Sequence, residues 1–295
     1  MSRDKEEKNY KSRDFARSLC FLAPSLIGVA VFFVLPFCVV IYYSLIDSVG
    51  TRNFVGLDNF IKLFQNSSFI LASRNTLHFS LFAVPLAVVL AILLALFLEE
   101  RIPGRSWFRS FFLSPMMVPV ASVVLIWQVL FSYNGTINQF LELFNIAKTD
   151  WLYSEHAQVV VILLFLWKNL GYNMILFMAA LNNVPKELLE VADVEGAGEL
   201  YKFFQIKLRF ISPTILFVAI LSLINSFKVF REIYLLAGDY PYESLYMLQH
   251  FMNNTFHSLD YQKLSAAAIV MSVVMVVVIF IMFKAEDHFG RDLEG

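Results

Sequence analysis

Long runs without a charged residue are the dominant pattern along this chain. Residues 18–46, 75–98, 110–141, 210–227 and 264–283 contain no Asp, Glu, Lys or Arg, and 157–185 is interrupted by Lys168 alone. A helix needs about 20 residues to cross the hydrocarbon core of a membrane. The pattern therefore predicts six transmembrane helices, near 19–46, 76–98, 108–132, 158–181, 211–236 and 264–283.

The composition agrees with a membrane protein. Hydrophobic residues make up 58% of the 295 residues and charged residues 16%, against usual shares of roughly 45–50% and about 25%, and the mean hydropathy is +0.65. One soluble core cannot bury so much apolar surface, so lipid must cover much of it. We predict an all-α polytopic membrane protein with no nucleic-acid partner. The net charge of −1 indicates neither an acidic nor a basic partner.

The distribution of Lys and Arg predicts the orientation. Fifteen of the 23 lie in the N-terminal segment, in the loops after the second and fourth spans, or in the C-terminal tail, and seven lie in the other loops. The richer side is cytoplasmic, so both termini are expected there. The predicted organisation is a cytoplasmic segment 1–18, a first transmembrane helix 19–46, an extracytoplasmic segment 47–75, a five-helix core 76–285 and a cytoplasmic tail 286–295.

Prolines lie inside the first three predicted spans, at Pro24, Pro36, Pro85, Pro115 and Pro119. Each removes a backbone donor and tends to kink or break a helix. Membranes tolerate such breaks where neighbouring helices or a cavity satisfy the freed carbonyls. At each position the alternative is an ordinary irregularity of packing.

The loop between the fourth and fifth spans, segment 184–213, has the most distinctive pattern. Pro185 precedes a short amphipathic helix over 187–195, and the glycine-rich stretch 196–198 ends it, since glycine readily supplies a left-handed turn. A second helix is expected over 199–208. The small residues Ala192, Gly196 and Ala197 let the backbone of a partner approach closely. Taken alone, an ordinary surface loop also explains this pattern.

Segment 184–213 resembles the EAA loop of ABC importer permeases. The matching residues are Glu190-Val191-Ala192, Gly196 and Ile206-Lys207-Leu208, with Val191 in place of alanine and Arg209 in place of the final proline. Four other stretches resemble the maltose and glycerol-3-phosphate type of carbohydrate permease, namely FVGLDNF (54–60), FRSFFLSPMMVP (108–119), NGTINQFL (134–141) and WKNLGYNMILFMAALNNVPKEL (167–188). One departure is residues 237–241, which read AGDYP where that type usually has Thr-x-Gly-Gly-Pro.

The resemblance implies a type I ABC importer permease fold and a multi-pass protein of a bacterial or archaeal inner membrane. It implies a permease subunit for a sugar or oligosaccharide, working with a second and different permease chain, two ATP-binding subunits and an extracytoplasmic solute-binding protein. Glu190, Ala192, Gly196 and Ala197 would contact the ATPase. None of the eleven glycines begins a G-x-x-x-x-G-K-[ST] phosphate loop. ATP and Mg²⁺ are therefore expected in the partner rather than in this chain.

Two polar faces are candidates for the substrate pathway. Asn169, Tyr172 and Asn173 share a face of the fourth span, and Ser222, Asn225, Ser226 and Val229 form a stripe on the fifth. These positions resemble the sugar-facing positions of maltose-type permeases. Amide, hydroxyl and aromatic groups suit a polyol, which needs many neutral hydrogen bonds and a stacking surface. The alternative is hydrogen bonding between helices, which Asn and Ser commonly provide in membranes.

The charged residues within the predicted spans are compatible with more than one kind of cargo. Lys168 lies near the middle of the fourth span, where a charge is a functional hypothesis by default. Lys228, Arg231 and Glu232 lie near the outer end of the fifth span. We expect them to mark the membrane interface, and an anionic sugar is the alternative. Other cargoes kept open are a sugar phosphate, a peptide and an amino acid.

An integral-membrane enzyme is the remaining alternative class. It needs an acid–base pair or a metal cluster near the interface. The five histidines are scattered, and only His250 and His257 share a loop. We expect no catalytic and no metal site in this chain.

Overall fold

The six-span all-α fold is confirmed by a computed structural model. The structure describes Ser18, residues 21–99 and residues 104–290, with side chains to Asp287. Six helical stretches of the described residues are long and apolar enough to cross a membrane, and two of them consist of two consecutive helices: Phe21–Ser44, Ser67–Glu99, Val120–Glu142, Ala157–Leu181, Ser212–Ala237 and Tyr261–Asp287. The predicted N-terminal segment apart from Ser18, residues 19–20 of the first span, Arg101 and residues 291–295 of the predicted tail lie outside the described residues.

The helices of the described residues are numbered here in chain order. They are α1 (Phe21–Ser44), α2 (Asp58–Phe64), α3 (Ser67–Glu99), α4 (Arg105–Met117), α5 (Val120–Phe131), α6 (Thr136–Glu142), α7 (Ala157–Asn182), α8 (Lys186–Val194), α9 (Glu199–Lys202), α10 (Leu208–Phe210), α11 (Ser212–Lys228), α12 (Phe230–Ala237), α13 (Leu248–His257) and α14 (Tyr261–Gly290). A π-helical turn, Phe203–Lys207, joins α9 to α10.

The chain divides into two compact units, the first with residues up to Gln65 and Thr255–Ser272, the second with Asn66–Asn254 and Val273–Gly295. In the first unit, α1 contains a π-helical turn at Ala30–Val34, just before Pro36. The carboxylate of Asp47 accepts the Thr51 hydroxyl hydrogen at 2.7 Å, which lowers the pKa of Asp47. This contact closes the turn that follows α1.

The second unit is built around α3 and α7. Phe79, Ala83, Ala87, Ala91 and Ala95 follow one another at four-residue spacing along α3 and are fully buried. Small side chains at this spacing form a flat stripe, against which another membrane helix can pack closely. Phe165 of α7 meets Phe79 edge to face, with ring centroids 5.6 Å apart. Helix α11 packs on the same pair and buries Val218.

The structure corrects the predicted third span. The sequence predicts one helix over 108–132, but α4 ends at Met117 and α5 begins at Val120. Val118 and Pro119 between them are extended, with ψ of 131° and 136°, because Pro119 has no N–H to continue the helix. Pro85 and Pro115 remain inside their helices. The break in the chain thus lies at one of the expected prolines.

Candidate functional site

The predicted turn in segment 184–213 is confirmed. Pro185 is the extended residue before α8, and Gly196, at φ +79°, ends that helix. The Ala197 N–H donates to the Ala192 carbonyl at 2.9 Å and the Gly196 N–H to the Asp193 carbonyl at 3.1 Å. This pair of bonds is a Schellman motif, so the backbone itself fixes the angle at which the chain leaves α8.

Lys202 holds the two sides of this turn together. Its ammonium group lies 2.6 Å from Asp193 of α8 and 2.5 Å from Glu199 of α9. These hydrogen bonds, first to Asp193 and then to Glu199, raise the pKa of Lys202. A second ion pair, Lys207 to Glu99 at 2.9 Å, joins the segment to the last turn of α3. The segment is therefore tied both to itself and to a membrane-spanning helix.

The sequence analysis did not predict that Lys202 and Lys207 hold segment 184–213 in position. Glu199 and Lys202 are three residues apart on one helix, which is a detectable ion-pair spacing. The pair of Lys207 and Glu99 joins residues more than one hundred positions apart, and only the fold, which brings the π-helical turn to the end of α3, reveals it.

The outer surface of the segment combines exposed apolar side chains with exposed charged ones such as Glu187 and Glu195. Glu190 and Gly196 are exposed, Ala197 is half-buried and Ala192 is buried. Val194, at the end of α8, is 90% exposed. The other exposed large apolar side chains are Leu188, Val191, Leu200, Tyr201, Phe204 and Phe210. A grouping of this kind on one element is typical of a surface that another protein or a membrane covers.

A polar cavity of about 260 Å³ lies in the second unit, between the α4–α5 break, α7 and the α11–α12 junction. Three of the predicted pathway residues, Asn169, Asn225 and Val229, line it. Asn225 donates to the Asn169 side-chain oxygen at 3.0 Å, and Asn169 donates to the Phe165 carbonyl at 2.8 Å. The two amides thus present a joined polar wall.

The other predicted pathway residues do not line this cavity. Asn173 donates to the Ser222 hydroxyl at 3.1 Å, and both are buried between α7 and α11. Ser226 is buried and 2.8 Å from the Ser80 hydroxyl of α3. These three side chains make the interhelical hydrogen bonds that are the alternative to substrate contact. Tyr172 is 37% exposed and lies outside the cavity lining.

The charged residues of the fourth and fifth spans come together at the polar cavity. Lys168, Lys228, Arg231 and Glu232 all line it. Lys168 forms an ion pair with Glu232, and Glu232 is buried. Sequence reasoning named these residues but not their grouping. The signal was present as opposite charges in consecutive spans, yet their pairing depends on how the two helices are rotated.

His250 is packed as a neutral side chain. It is fully buried, its Nδ1 accepts the Met247 N–H at 3.3 Å, and its ring centroid lies 4.6 Å from that of Phe230. Burial lowers the pKa of His250 to about 4. Within the described part of the chain, no three His, Cys, Asp or Glu side chains are grouped as a metal site.

Comparison with known proteins identifies the family. Residues 82–295 match the family described as the binding-protein-dependent transport system inner membrane component. The sn-glycerol-3-phosphate transport system permease protein UgpA of Escherichia coli O6:K15:H31 is 30% identical over 272 residues, covering 89% of this chain and 91% of the relative. UgpA of Salmonella typhimurium is 28% identical with the same coverage.

Solved structures show the same fold. A bacterial ABC transporter involved in import of the acidic polysaccharide alginate contains a chain that superposes with a TM-score of 0.80 at 23% identity, covering 99% of this chain and 100% of that one. The alginate transporter in complex with an alginate pentasaccharide-bound periplasmic protein also gives 0.80 at 23% identity, covering 95% and 96%. The family predicted from the motif in segment 184–213 is thus confirmed. The chain belongs to the inner membrane components of binding-protein-dependent transport systems and is a multi-pass membrane protein with the fold of an ABC importer permease.

Proposed function

We propose that this chain is the permease subunit of an ATP-driven importer for a sugar or oligosaccharide. The observation that supports it most is the set of exposed apolar side chains on segment 184–213, whose two helices Lys202 joins through ion pairs. Family membership agrees with this role. Relatives are named for transport of sn-glycerol 3-phosphate and for import of alginate, both of which are hydroxyl-rich cargoes.

Segment 184–213 couples the chain to an ATPase in this proposal. Glu190 supplies a polar contact, while Gly196, Ala192 and Ala197 keep the surface small enough for close approach. When the ATPase closes, the ion pair of Lys207 and Glu99 transmits the movement of the segment to the end of α3. Because α3 packs along α7 and α11, the displacement reaches the helices that line the polar cavity. Alternating access is then a shift in population between two arrangements.

The remaining partners complete the importer. Two ATP-binding subunits hold ATP and Mg²⁺, a second and different permease chain completes the pathway, and an extracytoplasmic solute-binding protein delivers cargo. Both termini and segment 184–213 face the cytoplasm of a bacterial or archaeal cell. The excess of Lys and Arg on that side supports this orientation.

The substrate pathway runs past the polar cavity. Asn169 and Asn225 offer amide groups to cargo hydroxyls, and Val229 offers an apolar contact. Asn173, Ser222 and Ser226 hold the same helix faces in register through hydrogen bonds to one another or to α3. Tyr172 takes part where the second permease chain closes the pathway. In this proposal both polar faces predicted from the sequence, one on the fourth span and one on the fifth, contribute to the substrate pathway.

Purification of the tagged chain from its native membrane in mild detergent tests the proposal. We expect an ATP-binding subunit and a second six-span chain to accompany it. Gly196→Asp places a charge and a side chain at a φ of +79°, so this variant should lose the ATP-binding subunit and keep the second permease. Gly50→Asp, at an exposed glycine in the loop after α1, is the matched control. Recovery of the wild-type chain alone, under conditions that preserve other complexes, contradicts the proposal.

A further inference from the structure

The polar cavity is lined by more positive than negative side chains. Three cationic side chains and one carboxylate line it, although the whole chain has a net charge of −1. The ion pair of Lys168 and Glu232 cancels one cation. Lys228 and Arg231 remain, and neither forms an ion pair with any residue that the structure describes.

The position of these two cations distinguishes ligand binding from a mark of the membrane interface. Interface lysines and arginines extend away from the bundle toward lipid headgroups and water. Lys228 and Arg231 are exposed, and the space that they border is the cavity of Asn169 and Asn225. An uncompensated cation held at a membrane-spanning helix is costly, and such residues mark substrate pathways. A bound anion would supply the missing counter-charge.

The same cavity holds a separate hydroxyl-binding feature. Glu232 is buried, and its Oε2 atom has no hydrogen-bond partner among the described residues. An ionised carboxylate oxygen only accepts hydrogen bonds, and a buried acceptor without a partner is destabilising. A ligand hydroxyl would satisfy it once the carboxylate turns toward the cavity, because Oε2 is sealed from solvent in this arrangement. Asn225 donates one amide N–H to Asn169. Its side-chain oxygen and its second N–H therefore remain available to ligand hydroxyl groups.

From these two features we infer that the cargo of this chain is an anionic carbohydrate, with its phosphate or carboxylate held by Lys228 and Arg231 and its hydroxyls held by Glu232 and Asn225. Arg binds such groups through two parallel hydrogen bonds, and Lys binds them as a point charge. The cavity volume of about 260 Å³ is just below the roughly 300–1,000 Å³ of sites for drug-sized ligands. It therefore fits one ring-sized unit of the cargo. This inference rests on the proposed function.

The test measures ligand binding to the purified complex of this chain with its partner subunits, without the solute-binding protein. Thermal unfolding midpoints are recorded at increasing concentrations of sn-glycerol 3-phosphate, D-glucuronate, glycerol, D-glucose and inorganic phosphate. Binding to the folded state raises the midpoint. We expect a rise with sn-glycerol 3-phosphate, with D-glucuronate or with both, and the two compounds distinguish a phosphate site from a carboxylate site. Glycerol and D-glucose should produce no rise at the same concentrations.

Variants that remove charge test whether Lys228 and Arg231 bind the anionic group. Lys228→Gln/Arg231→Gln should weaken binding of the anionic compound by about tenfold or more, because both charge-assisted hydrogen bonds to the anion are lost. Arg52→Gln/Arg74→Gln removes the same charge at exposed positions outside the cavity and should leave affinity unchanged. Asn225→Leu, which leaves the Lys168–Glu232 ion pair intact, should reduce the preference for sn-glycerol 3-phosphate over inorganic phosphate.

Several results overturn the inference. They are an equal response to neutral and anionic sugars, an equal response to inorganic phosphate and sn-glycerol 3-phosphate, and equal losses in the two double variants. A further one is no response to either anionic compound up to about 10 mM, a concentration at which a site with a Kd of about 1 mM is roughly nine-tenths occupied. Failure of the proposed function is distinguishable, because the purified chain would then lack an ATP-binding subunit whatever it binds.

Discussion

Lys168 and Glu232 form a charged contact between the fourth and fifth spans. The Lys168 side chain is 20% exposed and the Glu232 side chain 7% exposed. A buried ion pair adds little net stability compared with apolar residues, but removing one partner leaves an uncompensated charge. The contact therefore works as a constraint, since it fixes the rotation of α7 relative to α12 and sets the wall of the polar cavity.

Substitution of one member of this ion pair should destabilise the protein strongly. We expect Lys168→Met to lower the free energy of unfolding by about 3–5 kcal/mol, because the carboxylate of Glu232 is left buried alone. The double variant Lys168→Met/Glu232→Leu should recover most of this loss. Thermal unfolding of the detergent-solubilised protein measures both. A double variant no more stable than Lys168→Met contradicts this account of the contact.

His250 makes the stability of the fold depend on pH. Its pKa falls from 6.5 to about 4 in the folded protein, because burial outweighs the attraction of Asp239. The folded state therefore favours the neutral ring. This contribution is complete above pH 6.5 and is lost as the pH falls toward about 4, up to roughly 3 kcal/mol.

The variant His250→Gln tests this dependence. Glutamine does not titrate, but its side-chain oxygen can accept the Met247 N–H. We expect the unfolding midpoint of the wild-type protein to fall more between pH 7 and pH 5 than that of His250→Gln. Identical pH profiles for the two proteins would show that His250 does not contribute.

At the scale of helices, α4 and α7 approach each other closely at Gly171. A Cβ atom added at Gly171 would stand 1.9 Å from the Phe112 carbonyl oxygen. No side-chain rotation relieves a clash with backbone, so the helices would have to separate. The α4–α5 break at Pro119 positions α4 for this contact, and α4 and α5 both border the polar cavity.

Gly171→Ala should therefore reduce the yield and stability of the folded protein. We expect a loss of at least about 1–3 kcal/mol, the usual cost of overpacking. Gly28→Ala is the control, because a Cβ at Gly28 of α1 meets nothing within 4 Å and alanine favours a helix. Size-exclusion profiles and unfolding midpoints compare the variants. Equal behaviour of the two would contradict the close approach of α4 and α7.

Charge-free runs predicted the number of spans but not the ends of the helices. They locate the part of a helix that lies in lipid, whereas α3 begins at Ser67, well before the predicted residue 76, and includes Arg74. Asn66 starts it by accepting the Phe69 N–H at 3.0 Å, a helix N-cap contact. The break at Val118 and Pro119 depends on which of several prolines ends its helix, which local sequence alone did not decide.

Helical spacing predicted which polar residues share a face but not what they meet. Asn169 and Asn173 lie on one face of α7, yet Asn169 lines the polar cavity and Asn173 binds Ser222. Ser226 meets Ser80 because α3 packs against that part of α11. The partners depend on the rotation of three helices about their axes. Sequence periodicity contains no information on that rotation between separate helices.

At the scale of the whole molecule, the predicted orientation is open to direct labelling. Val194 is 90% exposed and Tyr153 is 62% exposed, and they lie on either side of the α7 span. In a background of Cys20→Ser/Cys38→Ser, a membrane-impermeant maleimide should label Tyr153→Cys in intact cells. It should label Val194→Cys only after permeabilisation, because the Lys- and Arg-rich side stays in the cytoplasm. Labelling of Val194→Cys in intact cells contradicts this orientation.

The contacts of segment 184–213 link its exposed surface to the cavity. Lys202 joins α8 to α9, and Lys207 joins the segment to Glu99 of α3. Helix α3 in turn packs on α7 and α11, which contribute Asn169 and Asn225 to the cavity wall. A force applied at the segment therefore has a packed route to the polar cavity. The central claim of the proposed function is that an ATP-binding subunit applies this force.

Photo-crosslinking at Val194 in native membranes tests that claim most directly. A photoreactive amino acid at this exposed end of α8 should form an adduct with an ATP-binding subunit, identified by mass spectrometry. The same probe at Val276, 67% exposed on α14, should form adducts with lipid or membrane proteins and none with that subunit. A working probe at Val276 together with no ATP-binding subunit at Val194 would contradict the proposal that segment 184–213 couples this permease to an ATPase.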